Sequence, residues 1–183
     1  MTVLVVGLIL FFGMHLVPST PLRATLVERI GEDPFKGVFS LVSLAGFVLI
    51  VYGFSTTEFV ALLDPQPWGR GVTYWAVPLA MVLLVASNTP NNIKRVLRHP
   101  MLIGLIIWSG AHVAANGDLA STVLFVSFGG FALLDIVLVE VQGRAKPAAA
   151  VSFIWDLVTV VIGLALAAVL FYFHEYISGM PLV

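Results

Sequence analysis

The chain has 183 residues, 60% of them hydrophobic and 10% charged, with a formal net charge of -1 and a mean hydropathy of +1.04. Soluble domains carry about a quarter charged residues, so this is the composition of an integral membrane protein, and the near-zero charge implies neither nucleic acid nor an acidic substrate. With no cysteine, disulfides, thiolate nucleophiles, iron–sulfur clusters, Cys-ligated zinc and covalently attached haem are excluded, and any metal falls to histidine, carboxylate or Met.

At roughly 20 apolar residues per ~30 Å of hydrocarbon, there is room for about six spans and no separate soluble domain. The apolar runs predict an all-α, polytopic helical bundle with spans at 2–18, 38–54, 72–88, 101–116, 119–139 and 151–172. The first is read as a retained helix, because no Lys or Arg precedes it and Pro18-Ser19-Thr20-Pro21 follows in place of a small-residue cleavage pattern. The next stretch, 19–36, mixes Arg23, Glu28, Arg29, Glu32, Asp33 and Lys36. With Ser19 or Thr20 as N-cap and Pro21 in the first turn, it predicts a short interfacial helix over 21–30 closed by Gly31. After the second span, Asp64-Pro65-Gln66-Pro67-Trp68-Gly69-Arg70-Gly71 is turn-forming, with Trp68 suited to the headgroup zone.

Asn88-Thr89-Pro90-Asn91-Asn92 and Asn116-Gly117-Asp118 each read as a helix stop followed by a cap. Small residues suit close helix packing at Ser40, Ser43 and Gly46, at Gly104, Ala111 and Ala115, and at Gly129 and Gly130. Eight of the nine basic residues (Arg23, Arg29, Lys36, Lys94, Arg95, Arg98, Arg144 and Lys146) fall in the loops after spans one, three and five, leaving only Arg70 opposite. The positive-inside rule therefore places those loops in the cytoplasm and both termini on the other side.

The candidate chemistry lies in the four histidines. An imidazole in hydrocarbon must be hydrogen-bonded or coordinated, so His15 and His112, inside apolar runs, are either structural interhelical partners or ligands of haem or metal. His99 and His112 are thirteen residues apart, about 20 Å of helix rise, and cannot share an ion. A pair must come from different helices. His99, beside Arg98, is an interfacial cation or an anchor for a substrate or cofactor anion. His174, followed by Glu175, is a solvated helix end or a partner for His112, whose level it matches. Asp135 and Asp156 form a candidate acidic pair facing His99 or Arg98; the alternative is separate interfacial carboxylates paired with Arg144 or Lys146.

Several stretches together resemble the NnrU family of bacterial membrane proteins, over nearly the whole chain. They are Gly7-Leu8-Ile9-Leu10-Phe11-Phe12-Gly13-Met14-His15-Leu16-Val17-Pro18, Phe35-Lys36-Gly37-Val38-Phe39-Ser40-Leu41-Val42-Ser43-Leu44, Arg98-His99-Pro100-Met101-Leu102-Ile103-Gly104, Ala111-His112-Val113-Ala114-Ala115-Asn116-Gly117-Asp118 and His174-Glu175-Tyr176-Ile177-Ser178-Gly179-Met180-Pro181. The resemblance implies one NnrU-like transmembrane domain over 1–183, in the bacterial inner membrane. It implies an association with denitrification, in the expression or maturation of nitrite and nitric oxide reduction. The family includes the plant 15-cis-zeta-carotene isomerase, a b-type haem protein, and its ligand pattern falls here on His15 and His112; by depth along the helices, His174 is the alternative partner of His112. That isomerase has a cysteine where this chain has Ser109, so a ligand switch through a thiol is not available.

The implied function is therefore haem-dependent redox or isomerisation chemistry on a lipophilic substrate, with Arg98 and His99 anchoring an anionic group such as a haem propionate, or support of the nitrogen-oxide reductases. Arg98-His99-Pro100 and Gly104 are also similar to the Arg-His-Pro-x-Tyr-x-Gly segment of isoprenylcysteine-type membrane methyltransferases, which bind S-adenosylmethionine. Leu102 replaces the Tyr here, and Glu140 stands alone where that family has paired glutamates. A non-enzymatic assembly factor, binding partner helices through the small-residue faces, is the third alternative.

Overall fold

The computed structural model describes residues 1–144 and 149–179. It is all-helical, with no strand among the described residues, in nine α-helices: α1 (Thr2–Leu16), α2 (Leu22–Ile30), α3 (Glu32–Thr56), α4 (Gly69–Asn88), α5 (Ile93–Val96), α6 (Pro100–Ala115), α7 (Leu119–Val141), α8 (Ile154–Tyr172) and α9 (His174–Ser178). A 3-10 turn, Val17–Ser19, extends α1. Five of these segments are long and apolar enough to cross a membrane: α1 with its 3-10 turn, α3, α4, α7 and α8. α6 is apolar but has only 16 residues, about 24 Å at 1.5 Å per residue against ~30 Å of hydrocarbon.

The short α2 forms where the sequence predicts it and ends at Gly31, whose φ of 89° suits glycine. Its N-cap is Pro21, not Ser19 or Thr20; the Thr20 hydroxyl instead donates back to Val17 O at 2.9 Å. α3 begins at Glu32, six residues before the expected Val38. Glu32 and Asp33 in its first turn complement the helix dipole, Pro34 needs no intrahelical donor there, and Arg23 donates to both Glu32 carboxylate oxygens at 2.9 and 3.1 Å. That pair is more than 40% exposed, so Glu32→Gln is expected to cost less than about 1 kcal/mol in a thermal melt.

The long helices pack as a row, α3 on α1, α1 on α7, α7 on α6, α6 on α4 and α4 on α8. Lipid tails are as apolar as leucine, so close approach at small residues and interhelical polar bonds must hold such a row together. A Cβ on Gly7 would come 2.6 Å from Ile50 N, one on Gly46 2.8 Å from Phe11 N, and one on Gly53 into Leu4 N. The other contacts are similar: Gly104 against Ala80 O, Gly129 against Ser109 Oγ, Gly163 against Val82. Gly46, Gly104 and Gly129 were expected at such contacts. Ser40 and Gly130 are exposed instead, and the Ser43 hydroxyl is the one buried side-chain polar atom without a partner among the described residues.

The two ends of the row are closed differently. At one end the loop before α4 is sewn to the α6–α7 turn: Leu62 N and Leu63 N donate to Gly117 O at 2.8 and 2.9 Å, Gln66 N to Ala114 O at 3.0 Å, and Leu119 N to Val60 O at 2.9 Å. Asn116 and Asp118 are the stop and the cap read from the sequence, with Asp118 accepting from Ser121 N at 2.8 Å. At the other end the segment between α4 and α6 is clamped onto α8, as described below. Lys146, Met180 and Pro181 lie outside the described residues.

Candidate functional site: two membrane histidines joined by an aromatic ladder

His15 stands in the last turn of α1, where it meets α3 and α7. Its Nδ1 is 2.7 Å from Phe11 O, and its ring lies 4.2 Å from Phe11, 5.2 Å from Phe39 and 6.2 Å from Phe131, centroid to centroid. His112 stands near the end of α6, facing α7. Its Nδ1 is 2.8 Å from Trp108 O, and its ring stacks on Phe125 at 4.6 Å. A carbonyl only accepts, so in both rings Nδ1 carries the hydrogen, and in the neutral imidazole Nε2 keeps the lone pair. Both histidines thus have the same preset tautomer, achieved by the same bond to the carbonyl four residues earlier.

The two rings do not face a common space. Between them runs a ladder of aromatic contacts, Phe11 to Phe128 at 5.9 Å, Phe128 to Trp108 at 5.7 Å and Trp108 to His112 at 5.0 Å. Phe12 also packs on Phe128 at 4.9 Å and on Phe131 at 4.8 Å. These rings fill the seam where α1 meets α7. His15 touches α7 at Phe131 and His112 touches it at Phe125, a level difference of about 9 Å at 1.5 Å per residue. His174, at the start of α9 directly after α8, lies on the His112 end of the bundle; its Nδ1 is 3.0 Å from Ser178 Oγ.

At the opposite end His99 and Arg98 come together, and the carboxylate facing them is Glu140 of α7. His99 Nε2 is 2.7 Å from Glu140 Oε1, and Arg98 Nη1 donates to the two Glu140 oxygens at 3.1 and 3.3 Å. The candidate Asp135–Asp156 pair does not form, and the two carboxylates stand apart, as in the alternative read from the sequence. Asp135 accepts from Ser19 Oγ at 3.4 Å, and the same hydroxyl takes a bond from Arg144 at 2.7 Å, so Asp135 ties α7 to the end of α1. Asp156 instead accepts from Asn92 N at 2.7 Å and Asn92 Nδ2 at 2.6 Å. Glu140 stood out in the sequence only as a lone glutamate and not as the partner of Arg98 and His99, because these are about 40 residues away in sequence, and only the antiparallel packing of α6 on α7 brings the helix ends together.

In this cluster Arg98 and Glu140 are exposed while the His99 side chain is only 12% exposed, and an ion pair on exposed groups contributes little. Glu140→Gln is therefore expected to leave the melting temperature nearly unchanged while raising the rate at which diethylpyrocarbonate modifies His99. An unchanged modification rate would show that Glu140 does not hold His99.

Ser109 is buried against Gly129, with its hydroxyl donating to Ile106 O at 3.1 Å. Asn88 and Asn116 donate to carbonyls of their own helices, Leu84 O at 3.2 Å and His112 O at 2.8 Å. Among the described residues no group of three or more His, Asp or Glu side chains converges as a metal site.

Compared with known proteins, the chain is matched by the family model described as NnrU protein over residues 3–182. No curated protein and no solved structure matches it.

Proposed function

The chain belongs to the NnrU family, and from that premise we propose that it is a six-span protein of the bacterial inner membrane, both termini outside the cytoplasm, that binds b-type haem through membrane histidines. Its role would be redox or isomerisation chemistry on a lipophilic substrate, or support of nitrite and nitric oxide reduction. The observation that supports this reading is the shared Nδ1–H bond of His15 and His112 to a helix carbonyl. A second hydrogen bond of this kind fixes the ring and raises the basicity of the other nitrogen, as it does for metal-ligating histidines generally.

Each histidine taken singly would offer its Nε2 lone pair to the haem iron. One iron held by both requires Phe128 and Trp108 to leave the space between the rings, so the shared end of His112 and His174 favours that alternative pair. Haem, when bound, supplies a one-electron or Lewis-acid centre. The chain's own part is to present Nε2 in the correct tautomer, to exclude water with the phenylalanines of the seam, and to offer Arg98 and His99 to an anionic group in exchange for Glu140.

The test is the visible spectrum of the detergent-purified protein, oxidised and dithionite-reduced, with the His15→Ala, His112→Ala and His174→Ala variants. Near one haem per chain is expected, lost in His112→Ala; whether His15→Ala or His174→Ala also loses it identifies the second ligand. A wild-type protein that stays colourless after haem is supplied would overturn the reading.

The meeting of Arg98, His99 and Glu140 favours a second reading, in which this end binds S-adenosylmethionine, its carboxylate on Arg98 and its ammonium on Glu140. Calorimetric titration of S-adenosylhomocysteine into the haem-free protein separates the two, since binding abolished by Arg98→Ala is expected only here.

A further inference from the structure

The end of the bundle that carries His112 also carries an open groove of about 440 Å³ between the loop before α4 and the flank of α6. It is lined by Leu63, Asp64, Gln66, Gly110, Val113, Ala114 and Asn116. Neither His112 nor any ring of the aromatic ladder belongs to it, so it is a place distinct from the histidine pair.

Its walls are fixed in place. Leu62 and Leu63 bond to Gly117, and Gln66 to Ala114. The backbones approach so closely that a Cβ on Gly117 would collide with Leu63 O, and one on Gly69 with Ala114 O. The apolar floor is open, since a Cβ on Gly110 would meet nothing within 4 Å.

Among the residues lining the groove the one charged side chain is anionic. Asp64 is paired with no cation among the described residues. Asn116 donates one amide hydrogen to His112 O and keeps its carbonyl oxygen as an acceptor, and Gln66 adds a further side-chain carbonyl. Three acceptor-bearing side chains, one of them anionic, thus edge a groove whose floor is apolar. A primary ammonium offers three N–H donors and one positive charge, whereas a quaternary ammonium offers the charge without the donors. Trp68, in the same loop and 58% exposed, is a residue type that sits at headgroup depth. Arg70, at the start of α4, puts a guanidinium on the same end for the phosphate such a headgroup carries.

We propose that this groove is a binding site for a phospholipid with a primary-ammonium headgroup, the ammonium held by Asp64, Gln66 and Asn116 and an acyl chain lying along Gly110 and Val113. The site does not depend on haem.

Native mass spectrometry of the full chain, titrated with phosphatidylethanolamine and phosphatidylcholine of identical acyl chains, tests it. The ethanolamine lipid is expected to bind at least about tenfold more tightly, the equivalent of one charge-assisted hydrogen bond. Asp64→Asn should bring the two lipids to near parity, and Gly110→Leu, whose Cβ would meet nothing within 4 Å, should fill the floor and remove the ethanolamine adduct while the melting temperature holds. Equal binding of the two lipids by the wild type, or an unchanged preference in Asp64→Asn, would overturn the proposal. So would saturation by putrescine with no retained lipid, which would make the ligand a soluble amine.

Discussion

Replacing Gly53 by alanine is expected to unseat α1 from α3 and lower the stability of the detergent-solubilised protein by about 3 kcal/mol, at the upper end of what overpacking costs. The new Cβ would run into Leu4 N, which is helix backbone and cannot rotate away, so the helix axes must separate. That separation also loosens Gly7 from Ile50 and Gly46 from Phe11, because all three lie along one crossing. In a membrane the loss is not recovered by hydrophobic burial, since lipid covers the separated faces as well as the partner helix did. The apparent melting temperature should fall by about 10 °C on the scale of 2–4 °C per kcal/mol for a chain of this size. Gly13→Ala is the control: its Cβ would meet nothing within 4 Å, and it should be neutral or stabilising by up to about 1 kcal/mol through helix propensity. Equal melting temperatures for Gly53→Ala and Gly13→Ala would mean that α1 and α3 are not this close.

Asn91→Ala is expected to release the segment that carries Arg98 and His99. Asn91 is 1% exposed. Its Nδ2 donates to Ala86 O at 2.7 Å and Thr89 O at 2.8 Å, and its Oδ1 accepts from Lys94 N at 3.1 Å. Thr89 Oγ1 is 2.8 Å from Thr159 Oγ1 of α8. Next in sequence, Asn92 is held by both Asp156 oxygens and bonds Val151 through its amide, Nδ2 to Val151 O at 2.9 Å and Oδ1 from Val151 N at 3.1 Å. Truncating Asn91 leaves Lys94 N and two carbonyls without these partners in a buried place, at a cost of about 3 kcal/mol. Trypsin cleavage after Lys94, Arg95 or Arg98 should accelerate accordingly, and a cleavage rate equal to that of the wild type would show the clamp to be dispensable. Glu140→Gln provides the contrast, since it loosens only a cluster whose Arg98 and Glu140 are exposed.

The sequence by itself determined a membrane bundle, the position of each long helix to within a few residues except at the start of α3, and the turn chemistry at Gly31, Asn116 and Asp118. These are local properties: a run of apolar residues, a glycine at positive φ and a carboxylate three residues before an amide each act within a turn or two of chain. It also picked out His15 and His112, because an imidazole in an apolar run is conspicuous on its own. The tertiary structure decided everything that depends on which helix lies beside which. It set Glu140, not Asp135 or Asp156, against Arg98 and His99; it committed Asp156 to Asn92; and it made Gly7 and Gly53 contact points as important as the expected Gly46. It also placed Phe128 and Trp108 between the two histidines. Phenylalanine on a membrane helix faces lipid or a neighbouring helix with equal ease, since both are apolar, so hydropathy could not distinguish a lipid-facing ring from one in the seam. Only the packing of α1 and α6 on α7 did so.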